Sequence, residues 1–315
     1  KRQVYVKVDD AGNQKDVTVS DQLKNISSLG TIDDVSDLKD IKNVKGDETF
    51  SENNGKLVWQ GDKKYWAGQA PVCFPITGVL RDSKAVAFGK PCEMKRHGVA
   101  RINPFEIREQ GANFVSFIQN SSEETKKAFP FDYSLEIRYT VLKNSVTTRY
   151  TVKNTGKDRL PFVIGGHPAF NCPLESGEKF EDYTVEFSGA VNQKCLRPDV
   201  ETGLVDISKR YDVLDAPNKI NLDHSLFDLD AMVFDNIKPK SAVLSAGGRG
   251  VKIDYQDFDN LLVWSSSNGG NFVALEPWTG ISTCSDEDSV FENKRGMTVL
   301  EPDCEASFAF KITLI

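Results

Sequence analysis

The chain has 315 residues, of which 39% are hydrophobic and 10% aromatic, and it carries a formal net charge of −7. That length fits one large all-β domain or two average ones, and the apolar content is enough for a substantial core. The acidic balance argues against a broad nucleic-acid-binding face, and no apolar run approaches the roughly 20 residues that cross a bilayer.

Lys1-Arg2-Gln3 is followed by no apolar h-region, so no signal peptide is read and a cytoplasmic protein is expected. The six cysteines are Cys73, Cys92, Cys172, Cys195, Cys284 and Cys304. No pair has CxxC spacing and none stands near a histidine at zinc-finger spacing. They read as reduced, mostly buried thiols, and neither a metal nor a cofactor is expected.

Val4, Val6 and Val8 alternate, Asp9 to Lys15 reads as a turn, and Val17 and Val19 resume, which predicts a hairpin. Ile32, Val35, Leu38, Ile41 and Val44 recur every third residue, a spacing that fits neither a strand nor a clean helix. Residues 46–55 are polar and read as an exposed loop. Beyond residue 56 there is no long helical period. Leu135, Ile137, Tyr139 and Val141 alternate with polar residues, then Val146, Thr148, Tyr150 and Val152 do the same across Lys143-Asn144-Ser145. Those two runs predict a second hairpin.

Leu160 to Ile164 is strand-like. Further strands are expected at Thr184 to Phe187, Ala231 to Phe234, Ala242 to Leu244, Val251 to Tyr255, Leu261 to Trp264 and Val273 to Leu275. Phe308, Phe310, Ile312 and Leu314 close the series. Turn chemistry separates these runs at Asn53-Asn54-Gly55, Asn154-Thr155-Gly156, Gly247-Gly248-Arg249-Gly250 and Asn268-Gly269-Gly270. Many short strands at regular spacing predict an all-β protein, a large antiparallel sandwich or barrel. No internal repeat or interdomain linker stands out, so residues 1–315 are read as one unit.

Four segments carry residues that a bare scaffold does not need. They are Phe74 to Asp82, His97-Gly98-Val99-Ala100-Arg101, Gly165-Gly166-His167-Pro168-Ala169-Phe170-Asn171, and Ala274-Leu275-Glu276-Pro277-Trp278-Thr279-Gly280. Each sets a charged or imidazole group beside Gly or Pro at the end of an apolar run. His167 is one of only three histidines. An imidazole suits proton transfer near neutral pH, although such a histidine also serves to cap a turn. Glu276 follows a run expected to be a buried strand. It reads either as a strand-end glutamate in a salt bridge or as a desolvated base with a raised pKa. Trp278 offers a flat apolar face on which a sugar ring could stack.

Taken in order, these four segments resemble the galactose mutarotase-like superfamily, the aldose 1-epimerases, and most closely its bacterial subgroup associated with lactose and tagatose-phosphate operons. Leu57 to Trp66, Leu226 to Phe234 and Val299-Leu300-Glu301-Pro302 are also similar to that subgroup. The resemblance runs from about residue 17 to the end, and residues 1–16 stand as an extension without a counterpart. Gly30 is followed by Thr31-Ile32-Asp33 where Ala-Glu-Leu is typical, and the loop before Trp59 is longer.

The resemblance implies a β-supersandwich of two large antiparallel sheets with an open sugar groove. It implies His167 as general acid and Glu276 as general base, with His97, Arg81 and Asp230 bonding sugar oxygens and Asp223 a rival for Asp230. Arg101 is a plausible pocket cation. The expected ligand is a small sugar or sugar phosphate, on a monomer or homodimer.

Three rival readings remain. Arg81, Lys84, Lys95, Arg96 and Arg101 could form a cationic rim for a hexose 6-phosphate, since arginine suits phosphate. A sugar-binding or regulatory protein could keep the sandwich without turnover. A glycoside hydrolase would need two spaced carboxylates, such as Glu276 with Asp230 or Asp223, and leaves the His167 context unexplained.

Overall fold

A computed structural model describes residues 57–315 together with two short strands, Tyr5–Val8 and Gln14–Val17. Those two strands pair antiparallel, from Tyr5 opposite Val17 to Val8 opposite Gln14. The expected hairpin is therefore present, with its second strand starting at Gln14, inside the segment read as turn. The three-residue periodicity of Ile32 to Val44, the polar loop at 46–55 and the Gly30-Thr31-Ile32-Asp33 departure lie outside the described residues.

The bulk of the rest is two stacked antiparallel sheets, beside which Leu160–Phe162 pairs with Thr298–Leu300 and Lys84–Ala87 with Lys90–Glu93 as two-stranded ribbons. The larger has nine strands, in the order Lys219–Asn221, Thr184–Phe187, Ser241–Ala246, Arg249–Asp254, Glu305–Leu314, Ser145–Asn154, Tyr133–Leu142, Phe114–Asn120 and Glu106–Gly111. The smaller has six. Met232–Phe234, Asn260–Trp264, Phe272–Trp278, Gly165–Gly166 and Val72–Cys73 lie side by side, and Ala169–Asn171 also pairs with Phe272–Trp278. Among the described residues the one α-helix is Glu123–Ala128, capped by Ser122, whose side chain accepts from the Thr125 backbone N–H. No helix among them is long and apolar enough to cross a membrane.

The alternation read from sequence produces this arrangement directly. Tyr133–Leu142 buries every second residue, so Tyr133, Leu135, Ile137, Tyr139 and Val141 face inward while Glu136 and Arg138 face out. The hairpin to Ser145–Asn154 turns through Lys143-Asn144, with Lys143 at φ +52°. The inward residues of the larger sheet form one apolar cluster with Leu261, Val263, Val273, Leu275 and Phe234 of the smaller sheet.

The smaller sheet is covered on its other face too. Leu262 and Trp278 pack there with Leu196, Val205 and Ile281. Strand parity decides what that second face displays. Val273 and Leu275 point into the core, so Ala274, Glu276 and Trp278 must point away from it.

Candidate active site

A cavity of about 530 Å³ opens on the second face of the smaller sheet. Its lining includes His167, Glu276, His97, Arg101, Asp230 and Trp278, six of the seven site residues expected from sequence. Arg81 is not among them. Its Nη2 donates to the backbone carbonyls of Cys284, Ser285 and Glu287, at 3.0 to 3.3 Å, so it ties down the 284–287 loop rather than facing the cavity. Lys84 and Lys95 do not line it either. Of the expected cationic rim, only Arg96 and Arg101 do.

His167 stands where two short strand pairings meet. Leu275 N–H donates to the Pro168 carbonyl and Thr279 N–H to the Ile164 carbonyl. The same ladder would bring the N–H of residue 277 to the Gly166 carbonyl, but Pro277 has none. The Trp278 indole N–H bonds that carbonyl instead, at 3.1 Å. Gly165 is needed here, because a Cβ on it would come within 2.3 Å of the Trp278 ring. Glu276 therefore lies inside the strand Phe272–Trp278, not at its end as expected, and the proline does not stop the strand.

The two side chains meet. His167 Nε2 and Glu276 Oε2 are 3.2 Å apart and both groups are buried, with side chains 7% and 2% exposed. The contact is close but not aligned as a hydrogen bond, which leaves Glu276 Oε2 without a hydrogen-bonding partner. Burial pushes the Glu276 carboxyl well above its ordinary range, with Asp230 adding to the rise and Arg96 and Arg101 opposing it. Burial, then Arg101 and Arg96, push the His167 imidazole down to about 3. Both shifts favour uncharged forms. These directions favour a protonated carboxyl facing an uncharged imidazole.

A raised carboxyl costs stability as the pH rises. The folded state retains a proton that the unfolded chain releases near pH 4.5, so Glu276's contribution is present below that pH and is lost as pH climbs toward the folded value. Glu276→Gln does not titrate. It is expected to raise the melting temperature relative to wild type, by more at pH 8 than at pH 5, in thermal unfolding followed by circular dichroism. An equal change at both pH values would mean that the carboxyl is not held neutral.

Aromatic rings wall the pair. Trp66 stacks on His167 with ring centroids 4.6 Å apart and planes 24° apart, and Trp264 meets the imidazole edge-on at 5.4 Å. An indole face also stabilises an imidazolium once one forms. Trp59 holds Trp66 in place by donating its indole N–H to the Trp66 carbonyl at 2.9 Å. The loop is pinned again where the Asn268 side chain donates to the Lys64 carbonyl at 2.7 Å. All four tryptophans of the chain are thus gathered at this site. Trp278 itself is only 4% exposed and presents little surface for stacking, whereas Trp66 and Trp264 are half-buried.

His97 lies edge-on to both His167 and Trp278. Its backbone is left-handed, φ +66°, and its Nδ1 accepts the Gly78 N–H at 3.1 Å. Nδ1 being an acceptor, the proton of the neutral ring sits on Nε2, leaving that nitrogen as a donor for a ligand oxygen. Burial, followed by the neighbouring His167, Arg101 and Arg96, pushes its pKa well below the ordinary value, which keeps it neutral.

Asp230 also has a left-handed backbone, φ +63°, and its Oδ1 accepts the Ala231 N–H at 2.7 Å. Its Oδ2 lies 3.8 Å from Arg96, a half-exposed ion pair of little energetic weight. Buried Arg197 fixes this loop by donating to the carbonyls of Leu226 and Asp230, both at 2.7 Å. Asp223, the rival carboxylate, caps a turn by accepting from Ser225 and does not line the cavity. Arg197→Met is expected to raise KM about tenfold with a smaller change in kcat, through loss of two buried backbone anchors. An unchanged KM would show that the loop keeps Asp230 in place unaided.

Among the lining residues, Trp66 and Trp264 were given no role from sequence, and Arg96 was named only in the cationic rim. The signal available was the concentration of tryptophan in runs flanking the four motifs.

The family model for aldose 1-epimerase matches residues 49–312. The match begins later than the residue 17 expected from the motifs. The chain is 37% identical over 270 residues to the plasmid-encoded and chromosomal LacX proteins of Lactococcus lactis subsp. lactis, covering 82% of this chain and 90% of each relative. Among solved structures, it is similar to a galactose mutarotase related enzyme from Lactobacillus acidophilus. The TM-score is 0.76 at 28% identity, over 82% of this chain and 87% of that one. A galactose mutarotase-like protein from Lactobacillus casei ATCC 334 gives a TM-score of 0.75 at 29% identity, over 82% and 89%.

Proposed function

The chain belongs to the aldose 1-epimerase family, and on that premise we propose that it interconverts the α and β anomers of an aldohexose at the cavity holding His167 and Glu276. The observation that carries this reading is the buried His167–Glu276 contact at 3.2 Å, one acid and one base facing the same space. Mutarotation asks for that pair. The anomeric hydroxyl loses its proton as the ring oxygen gains one, and the C1–O5 bond breaks. C1 then turns about the C1–C2 bond, and the ring closes on its other face by the reverse transfers. No redox change occurs, and a proton pair suffices.

The pair enters with its proton on Glu276. The two atoms stand 3.2 Å apart, and a small reorientation into line allows transfer to His167 Nε2, giving a carboxylate and an imidazolium. Arg101 and Arg96 favour the carboxylate but oppose the imidazolium, which the stacked Trp66 ring favours. In that form His167 protonates the ring oxygen as general acid and Glu276 takes the anomeric proton as general base. His97 Nε2–H donates to an oxygen on the ring-oxygen side, and Asp230 accepts from a further hydroxyl. Trp278 closes the wall behind them.

Arg96 and Arg101 at the cavity favour a second reading for the substrate, a hexose 6-phosphate, because guanidinium groups bind phosphate oxygens in pairs. The discriminating experiment is anomer exchange by NMR with galactose, glucose and their 6-phosphates. Exchange faster than the spontaneous rate for the free sugars supports the first reading. Exchange confined to the phosphates supports the second. Saturable tryptophan-fluorescence change on binding with no accelerated exchange would replace both with a sugar-binding protein.

A further inference from the structure

A second cavity, much smaller, also touches His167. It measures about 20 Å³ and lies in the core between the two sheets. Three of its lining residues carry hydroxyls: Tyr139, Thr148 and Tyr150. Tyr139 and Thr148 are cross-strand partners, and Tyr150 is the next inward-facing position on the same strand as Thr148. All three are buried, 3 to 4% exposed, within an otherwise apolar interior. The Tyr150 hydroxyl reaches the backbone beside the imidazole, since a Cβ placed on Gly166 would stand 3.0 Å from it.

His167 Nδ1 is buried and makes no well-aligned hydrogen bond, although its own backbone carbonyl lies near enough to favour a proton on the ring. An unpaired buried nitrogen is destabilising, and native interiors rarely leave one so. A space of about 10–15 Å³ or more admits one water when polar groups surround it. Both conditions are met behind the imidazole.

We infer that this cavity binds one ordered water that joins His167 Nδ1 to the hydroxyl of Tyr150, with Tyr139 and Thr148 completing the site, and that Tyr150 thereby positions the imidazole for proton exchange at Nε2. A water or a hydroxyl accepts from an N–H and still donates elsewhere, so other bonds of these tyrosines do not compete. With Nδ1–H donating into the cavity, Nε2 is the nitrogen left bare to meet Glu276. When Nε2 gains a proton, the imidazolium needs the same acceptor at Nδ1. One water site therefore serves both protonation states, as partners on the far nitrogen orient working histidines elsewhere. The rate effect rests on the proposed role of His167, whereas the water site does not.

The test is nitrogen-resolved NMR of the His167 ring in sugar-free protein, for wild type, Tyr150→Phe and Thr148→Val, alongside anomer-exchange kinetics. Wild type is expected to show Nδ1 protonated and Nε2 bare. Tyr150→Phe should shift the ring toward the opposite tautomer and lower kcat about tenfold, with KM changed by no more than about twofold. Thr148→Val should move the nitrogens the same way by less, and it carries the test if the tyrosine variant does not fold. A wild-type ring protonated at Nε2, or nitrogen signals unmoved in the folded variants, overturns the inference even if kcat falls. If the nitrogens shift as expected but wild type turns over no sugar, the water site stands and the proposed function falls.

Discussion

Glu276→Gln is expected to lower anomer exchange by on the order of 100-fold or more, the effect of removing the proposed general base, while the fold survives. The substitution keeps the shape of a side chain that is 2% exposed and set by strand parity on the cavity face of Phe272–Trp278. What it removes is the ionisable carboxyl that the proposed mechanism uses to hold and release a proton. The amide introduced by the substitution can still hydrogen-bond a sugar hydroxyl, so binding should change little and the loss should fall on kcat. Comparing kcat and KM by NMR exchange at several sugar concentrations checks this. A loss confined to KM would make Glu276 a binding group only.

His167→Gln should cost a similar factor, on the order of 100-fold or more, by removing the group proposed to protonate the ring oxygen. Here the fold is more exposed to the change, because the imidazole stacks against Trp66 at 4.6 Å and meets Trp264 at 5.4 Å. Intrinsic fluorescence and sugar titration therefore belong beside the rate. A folded variant that binds sugar but has lost exchange fits the assignment. If exchange persists near the wild-type rate, the acid is another group, and His97, with its ring centroid 5.6 Å from that of His167, is the first to examine.

The architecture was largely written in period-two alternation. Tyr133–Leu142, Ser145–Asn154 and Glu305–Leu314 were visible because each buries one face only. Glu106–Gly111 escaped notice for a physical reason. It is an edge strand, with Glu106, Arg108 and Glu109 exposed, and such strands carry charge instead of an apolar face. The continuation of Phe272–Trp278 through Pro277 was also hidden. A proline reads as a strand terminator unless the missing N–H falls opposite a carbonyl that another donor takes, and here the Trp278 indole takes it.

Within the site, the motif order and its resemblance to a family brought together His167, Glu276, His97, Arg101, Asp230 and Trp278. It misplaced Arg81, because the carbonyls that hold Arg81 come from residues more than 200 positions away, which no local pattern records. The stacking of Trp66 on His167 is likewise a meeting of distant segments. Cysteine usage was legible in outline: five of the six are buried, Cys304 is exposed, and none is in a disulfide.

The central claim is that His167 and Glu276 act on one sugar as a single proton-sharing pair. It is tested most directly by measuring anomer exchange for wild type, His167→Gln, Glu276→Gln and the double variant in one NMR assay. Residues that work as a unit show losses that do not multiply. The account predicts clear acceleration by wild type, a collapse in each single variant, and a double variant little slower than the slower single one. Losses that multiply, or a wild-type rate equal to the spontaneous one, would contradict it.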